Sequence, residues 1–147
     1  ERREELFRRW VAAFGEAFRA TLKPVRFRSV KNEGRWWEEI ELEKFGDAVW
    51  GGETGGARLV GHLKPERATI YSDSLLPKLQ AKYSLVRDNG GELEILKKFW
   101  KGECEVSGVA PPLIVYADLI ATADRRNLET AQMIYDRYLA DIAKATA

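Results

Sequence analysis

One segment constrains this chain more than any other: Pro111-Pro112-Leu113-Ile114-Val115-Tyr116-Ala117-Asp118-Leu119-Ile120. An apolar run of that length belongs in an interior, and it carries a carboxylate, Asp118, in with it. Burying an unpaired carboxylate is costly, so the fold must bring a cation or a set of donors to that point. Periodicity alone leaves the run open as buried strand or buried helix. Proline at its start, with Ala117 and Ala121 further on, favours helix. Asp124 then offers an N-cap for a last helix over 125–143, whose stripe is Leu128, Ala131, Ile134, Tyr135, Tyr138, Leu139 and Ile142. A turn between two such helices makes Arg125 or Arg126 the expected partner of Asp118.

Residues 3–22 read as a first helix. Leu6, Trp10, Phe14 and Phe18 recur at i+4, Phe7 and Val11 widen the stripe, and Pro24 ends it. This aromatic stripe reads as core. Residues 25–30 alternate and read as a strand, followed by a turn at Asn32 to Gly34. Residues 35–46 lean towards helix. A second helix is expected over 52–63, with Gly55 and Gly56 inside it. Each of these costs about 1 kcal/mol against Ala, which points to close approach of another element. Short strands follow at 68–71 and 85–86, with a helical turn at 75–82. Asp88-Asn89-Gly90-Gly91 is the strongest turn signal and suggests a hairpin of 83–87 with 92–99. The element order predicts an α+β fold, a small mostly antiparallel sheet covered by helices, with two C-terminal helices.

The 147 residues suit a single domain, with 45% apolar and 32% charged residues to fill and solvate it. No run of 18 apolar residues and no N-terminal apolar h-region exist, so the expected location is the cytoplasm. One cysteine, Cys104, and one histidine, His62, cannot by themselves supply a zinc site, and no metal or cofactor is expected. His62 reads as an ordinary hydrogen-bonded residue within the second helix. Cys104 lies between Glu103 and Glu105, which disfavours a thiolate nucleophile. Gly51-Gly52-Glu53-Thr54-Gly55-Gly56 is not a phosphate loop: no Lys-Ser/Thr follows, and no strong apolar strand is visible before it. The net charge of +1 argues against a dedicated nucleic-acid binder, although residues 1–35 are basic, at net +5, and residues 36–66 acidic, at net −4.

A metal-dependent nuclease is the enzyme reading to weigh. Such enzymes place an Asp at one strand and a Glu-x-Lys on the next. Asp73 follows a strand, Glu92 and Glu94 begin another, and Glu53 could add a carboxylate from a helix. The lysine position holds Leu96, while Lys97 alternates to the face opposite Glu94. Surface charge on a hairpin explains these residues more simply, so no catalytic residue is expected.

Three blocks carry a resemblance. The first is residues 111–131, from Pro111 through Tyr116-Ala117-Asp118-Leu119 to Asp124-Arg125-Arg126-Asn127-Leu128-Glu129. The second is Trp50-Gly51-Gly52-Glu53 with Leu63-Lys64-Pro65-Glu66, and the third is Glu94-Ile95-Leu96-Lys97-Lys98-Phe99-Trp100. In this order, over about residues 35–140, they resemble the AbiEi-type family of type IV antitoxins and transcriptional regulators linked to phage defence. The family's Asp-Pro-Arg-Asn stands here as Asp124-Arg125-Arg126-Asn127. The resemblance implies a chain that counteracts a nucleotidyltransferase-type toxin, with operator DNA bound by an N-terminal winged helix. Because the sequence opens inside an amphipathic helix, it reads as the C-terminal domain of a longer regulator, without that winged helix. Interaction candidates are Tyr116, Asp118, Arg125, Arg126 and Glu129, with Trp100 and Lys101 as an aromatic–basic surface. Packing is the competing role for Trp100, and fixing the helix corner is the competing role for the Asp118–arginine pair. The other function classes left open are a degenerate or active nuclease-like domain and a dimerisation or effector module.

Overall fold

The computed structural model describes residues 2–141. Helix α1 spans Arg2–Ala13 and continues through a π-helical stretch, Phe14–Phe18, into a last turn, Arg19–Thr21. Glu4 and Glu5 lie in its first turn, where they complement the helix dipole, and Glu5 pairs with Arg9 at 2.8 Å. Five strands follow: β1 (Val25–Ser29), β2 (Val49–Gly51), β3 (Ala68–Ser72), β4 (Leu85–Arg87) and β5 (Leu93–Lys97). Helices α2 (Gly52–Val60) and α3 (Pro77–Lys82) lie between strands. Helices α4 (Pro112–Ala121) and α5 (Arg125–Ile134) follow the sheet, α5 running on into a π-helical stretch, Tyr135–Leu139. The fold is α+β, as expected.

The sheet order is β2-β3-β5-β1-β4, with β3–β5 parallel and the other three pairs antiparallel. Strand alternation sends residues to two cores. Val49, Tyr71 and Leu96 join the core under α1, α2, α4 and α5. Trp50, Ala68, Ile70, Phe27, Leu93 and Ile95 join a second core on the opposite face, closed by Trp36, Trp37, Ile40, Leu42 and Leu79. Both sheet faces are thus covered, and four of the five β5 residues are buried.

Four expectations need correction. The hairpin of 83–87 with 92–99 does not form: β4 and β5 both pair with β1, which lies between them. The Asp88–Gly91 turn is real, with Gly91 N–H donating to Asp88 O at 2.8 Å, but it carries the chain across the end of β1. A side chain at Gly91 would collide with the Phe27 backbone, which is why the crossing needs glycine. Residues 35–46 form two 3₁₀ turns, Trp36–Glu39 and Leu42–Phe45, rather than one helix, because Ile40 is extended between them. The first helix does not bury its i+4 stripe. Val11 and Phe14 are buried, whereas Leu6, Trp10 and Phe18 are 57%, 38% and 40% exposed. Likewise Leu128 is exposed on α5, and Ile142 lies outside the described residues. The second helix stops at Val60, where Gly61 at φ 67° caps it, so His62 is an exposed loop residue.

The close approach expected at Gly55 and Gly56 is present. A Cβ on Gly56 would stand 3.1 Å from Leu119 Cδ1 and 3.3 Å from Thr130 Cγ2, and one on Gly55 3.1 Å from Val115 Cγ2. These glycines let α2 settle against α4 and α5.

Candidate functional site

Asp118 sits in the last turns of α4 and is 3% exposed. Its expected partners, Arg125 and Arg126, do not reach it. The cation comes from the other end of the chain: Arg19 Nε donates to Asp118 Oδ1 at 2.9 Å. Tyr71 on β3 donates its hydroxyl to the same oxygen at 2.8 Å, and the Gly52 N–H at the start of α2 donates to Oδ2 at 3.0 Å. Asp118 therefore acts as the anion at the α2 N-terminus, which has no side-chain cap of its own.

The remaining guanidinium edge of Arg19 grips Glu94 on β5, with Nη1 and Nη2 donating to Oε2 and Oε1 at 3.1 and 2.6 Å. Glu94 is 4% exposed and is also approached by Arg26 on β1 at 3.5 Å. The π-helical stretch in α1 sets this up. One extra residue in a turn rotates everything after it, and Arg19 is the first residue beyond the stretch. Burial alone would lower the Arg19 pKa, but the Asp118 and Glu94 carboxylates raise it instead, so the guanidinium stays charged. Burial pushes the Asp118 carboxyl up, against the pull of Arg19, Tyr71 and Gly52. Burial, then Asp118, drives the Tyr71 hydroxyl well above its ordinary value.

Arg19, Gly52, Glu94 and Asp118 floor a cleft of about 310 Å³ between the end of α1, the start of α2 and the end of α4. Arg26, Arg67, Thr69 and Glu53 also line it. Glu53, in the first turn of α2, is tied down on all sides. Its Oε1 accepts from the Glu66 N–H at 2.8 Å and from Arg126 at 3.3 Å, and its Oε2 accepts from Asn127 Nδ2 at 3.0 Å. Arg126 also donates to the Lys64 carbonyl at 2.7 Å, pinning the loop before β3 onto α5. Asp124 caps α5 as expected, accepting from Asn127 N–H at 3.1 Å.

The seven candidate residues therefore divide. Asp118 and Arg126 lie at two joints of the same region but do not touch. Tyr116 is half-buried between Phe7 and Tyr135, with ring centroids 5.7 and 6.0 Å away, and burial raises its hydroxyl pKa. Trp100 packs edge-on against Tyr71 and Phe99, both at 5.2 Å, so packing accounts for its ring. Arg125 and Glu129 are exposed, 4.0 Å apart on α5, and Lys101 is exposed in the loop after β5. Arg19, Tyr71, Asn127 and Thr69 were not singled out from sequence.

The nuclease constellation does not assemble. The parallel β3–β5 register places Thr69, not Asp73, beside Glu94, and pairs Ser72 with Lys97. Asp73 thus lies past the far end of β5 from Glu94, where it faces Asp47, whose carboxylate raises its pKa. Glu92 accepts from the Trp36 indole at 2.8 Å. Among the described residues, no group of three or more His, Cys, Asp or Glu side chains is arranged to hold a metal ion. No described helix is long and apolar enough to cross a membrane.

Fold and cleft together define a small α+β fold organised around one half-buried guanidinium and two buried carboxylates. The family model described as "Transcriptional regulator, AbiEi antitoxin, Type IV TA system" matches residues 1–140. The chain belongs to this family of type IV toxin–antitoxin antitoxins and regulators. Neither a curated protein nor a solved structure matches it.

Proposed function

We propose that this chain is the neutralising, C-terminal domain of a type IV antitoxin, that it counteracts a nucleotidyltransferase-type toxin in the cytoplasm, and that operator binding resides in a winged helix outside it. The observation that carries this reading is the family match over residues 1–140. The domain acts as a binding module, not an enzyme; the separate anchoring of Asp73, Glu92 and Glu94 supports this. Contact with the toxin, or with what the toxin acts on, falls to candidate side chains that packing leaves free: Arg125, Glu129 and Lys101. Asp118, Arg126 and Trp100 serve by holding the domain in shape.

The test is growth rescue in bacteria expressing the neighbouring nucleotidyltransferase-like toxin, with and without this 147-residue chain. Rescue by the chain, weakened in Arg125→Ala and Lys101→Ala at unchanged protein level, is the expected result. Failure to rescue by a chain shown to be folded would overturn the assignment of neutralisation to this domain.

A further inference from the structure

The cleft beside Asp118 contains an unequal set of hydrogen-bonding groups. Its carboxylates are spent. Asp118 accepts three bonds, Glu94 is gripped at both oxygens by Arg19, and Glu53 is held by Arg126, Asn127 and main-chain N–H groups. Two donors are not spent. Arg67, immediately before β3, is exposed and has no carboxylate within ion-pair distance among the described residues. Thr69 is 7% exposed, lines the cleft, and its Oγ1 has no hydrogen-bond partner among the described residues. Arg67, in the bend before β3, and Thr69, on the same face of β3 as Tyr71, both line the cleft. Arg26, two strands away across β5, keeps only a 3.5 Å contact to Glu94 and a 3.2 Å bond to the Gly91 carbonyl.

Arg19, Arg26 and Arg126 contact these three carboxylates, Arg126 reaching Glu66 as well, while the Arg67 guanidinium pairs with none of them. A ligand that meets an unpaired guanidinium and a spare hydroxyl, beside carboxylates already engaged, must offer acceptor oxygens. A guanidinium fork fits the oxygens of a phosphoryl group. The volume, about 310 Å³, exceeds what a bare phosphate fills and suits a small phosphorylated molecule. The small apolar wall of Gly15, Leu119 and Ala121 would border the rest of it.

We propose that this cleft is a binding site for the phosphoryl group of a small phosphorylated ligand, held by Arg67, Arg26 and the Thr69 hydroxyl. The test is calorimetric titration of the full chain at low ionic strength with three probes: inorganic phosphate, ribose 5-phosphate and the four nucleoside 5′-monophosphates. Saturable binding of at least one probe is expected. Arg67→Ala, a change at an exposed side chain, should weaken it about tenfold or more, and Thr69→Val several-fold. Arg9→Ala, which removes an exposed arginine elsewhere, on α1, should leave it unchanged. Equal affinity for all three probes would mark the ligand as the bare oxyanion; tighter binding of the nucleotides would mark it as a nucleotide; both support the site. The absence of saturation by any probe up to about 10 mM, or binding undiminished in Arg67→Ala, would overturn it. The assay uses no toxin, so its outcome is separate from that of the growth test.

Discussion

The two faces of the sheet solve the same burial problem differently. On one face, Trp36, Trp37, Ile40, Leu42, Trp50, Ile70 and Leu79 form an apolar core closed by short 3₁₀ turns and α3. On the other, α1, α2, α4 and α5 meet over Tyr71, Leu96, Val115 and Leu119, but at one edge they enclose Arg19, Glu94 and Asp118. The apolar face needs only shape. The helical face also depends on a set of bonds in which every charged member requires the others. Buried charge is poor at adding stability compared with well-packed apolar groups of the same size, yet removing one member is severe. The contrast separates a scaffold from a face that carries a cleft.

Arg19→Ala breaks that contrast hardest. It strands two carboxylates that are 3% and 4% exposed, and a loss of about 3–5 kcal/mol is expected in urea unfolding. A loss under about 1 kcal/mol would mean the charges are wet and the two faces are alike. On the apolar face, Leu79→Ala should cost about 3 kcal/mol through a cavity, without any dependence on pH. The pH dependence belongs to the helical face. Tyr71 keeps its proton in the folded chain above its ordinary value of 10.0, because burial and then Asp118 disfavour the phenolate. The unfolded chain releases that proton near pH 10, so this contribution is fully present below about pH 10 and is lost as pH rises, by about 1.4 kcal/mol per unit. Tyr71→Phe should remove that part of the alkaline slope, while Leu79→Ala leaves it in place.

Gly56→Ala sharpens the same comparison at lower cost. Alanine gains about 1 kcal/mol of helix propensity, but its methyl would press on Leu119 and Thr130 at 3.1 and 3.3 Å. Crowding of this kind costs about 1–3 kcal/mol, so the net loss should be near 1 kcal/mol, read as a fall in Tm.

The sequence was legible where a feature is local. The α4–α5 pair, the Asp124 cap, the α2 glycines and the α+β class all follow from spacing within about ten residues. Two kinds of feature were not. The partner of Asp118 is 99 residues away, and nothing near Arg19 distinguishes it from the other arginines of a basic helix. Its aim depends on the π-helical stretch before it, which periodicity does not reveal. Strand order was also hidden. Local alternation makes Glu94 a surface charge on a hairpin arm, whereas the place of β5 between β3 and β1, covered on both faces, buries it. A buried carboxylate in an apolar run correctly predicted a cation but not which one. β2 was missed outright, since three residues are too few to show alternation.

Arg125→Ala is expected to have the smallest effect on the fold, and for that reason it tests function most cleanly. Its side chain is 96% exposed, and its one ion pair, with Glu129, spans 4.0 Å at i,i+4 spacing. Pairs of that kind contribute little, so Tm should stay within about 2 °C of the parent. Rescue of growth against the toxin is then a readout that stability cannot move. If rescue falls while Tm holds, the exposed end of α5 is part of the contact surface. If rescue is intact in Arg125→Ala, Glu129→Ala and Lys101→Ala together, that surface is elsewhere, and the cleft bordered by Arg67 becomes the next place to mutate. Arg126→Ala is the internal comparison. It removes a neighbour on the same helix that bonds Lys64 O, Glu53 and Glu66, so its loss should lower Tm and rescue in parallel, as a structural joint would.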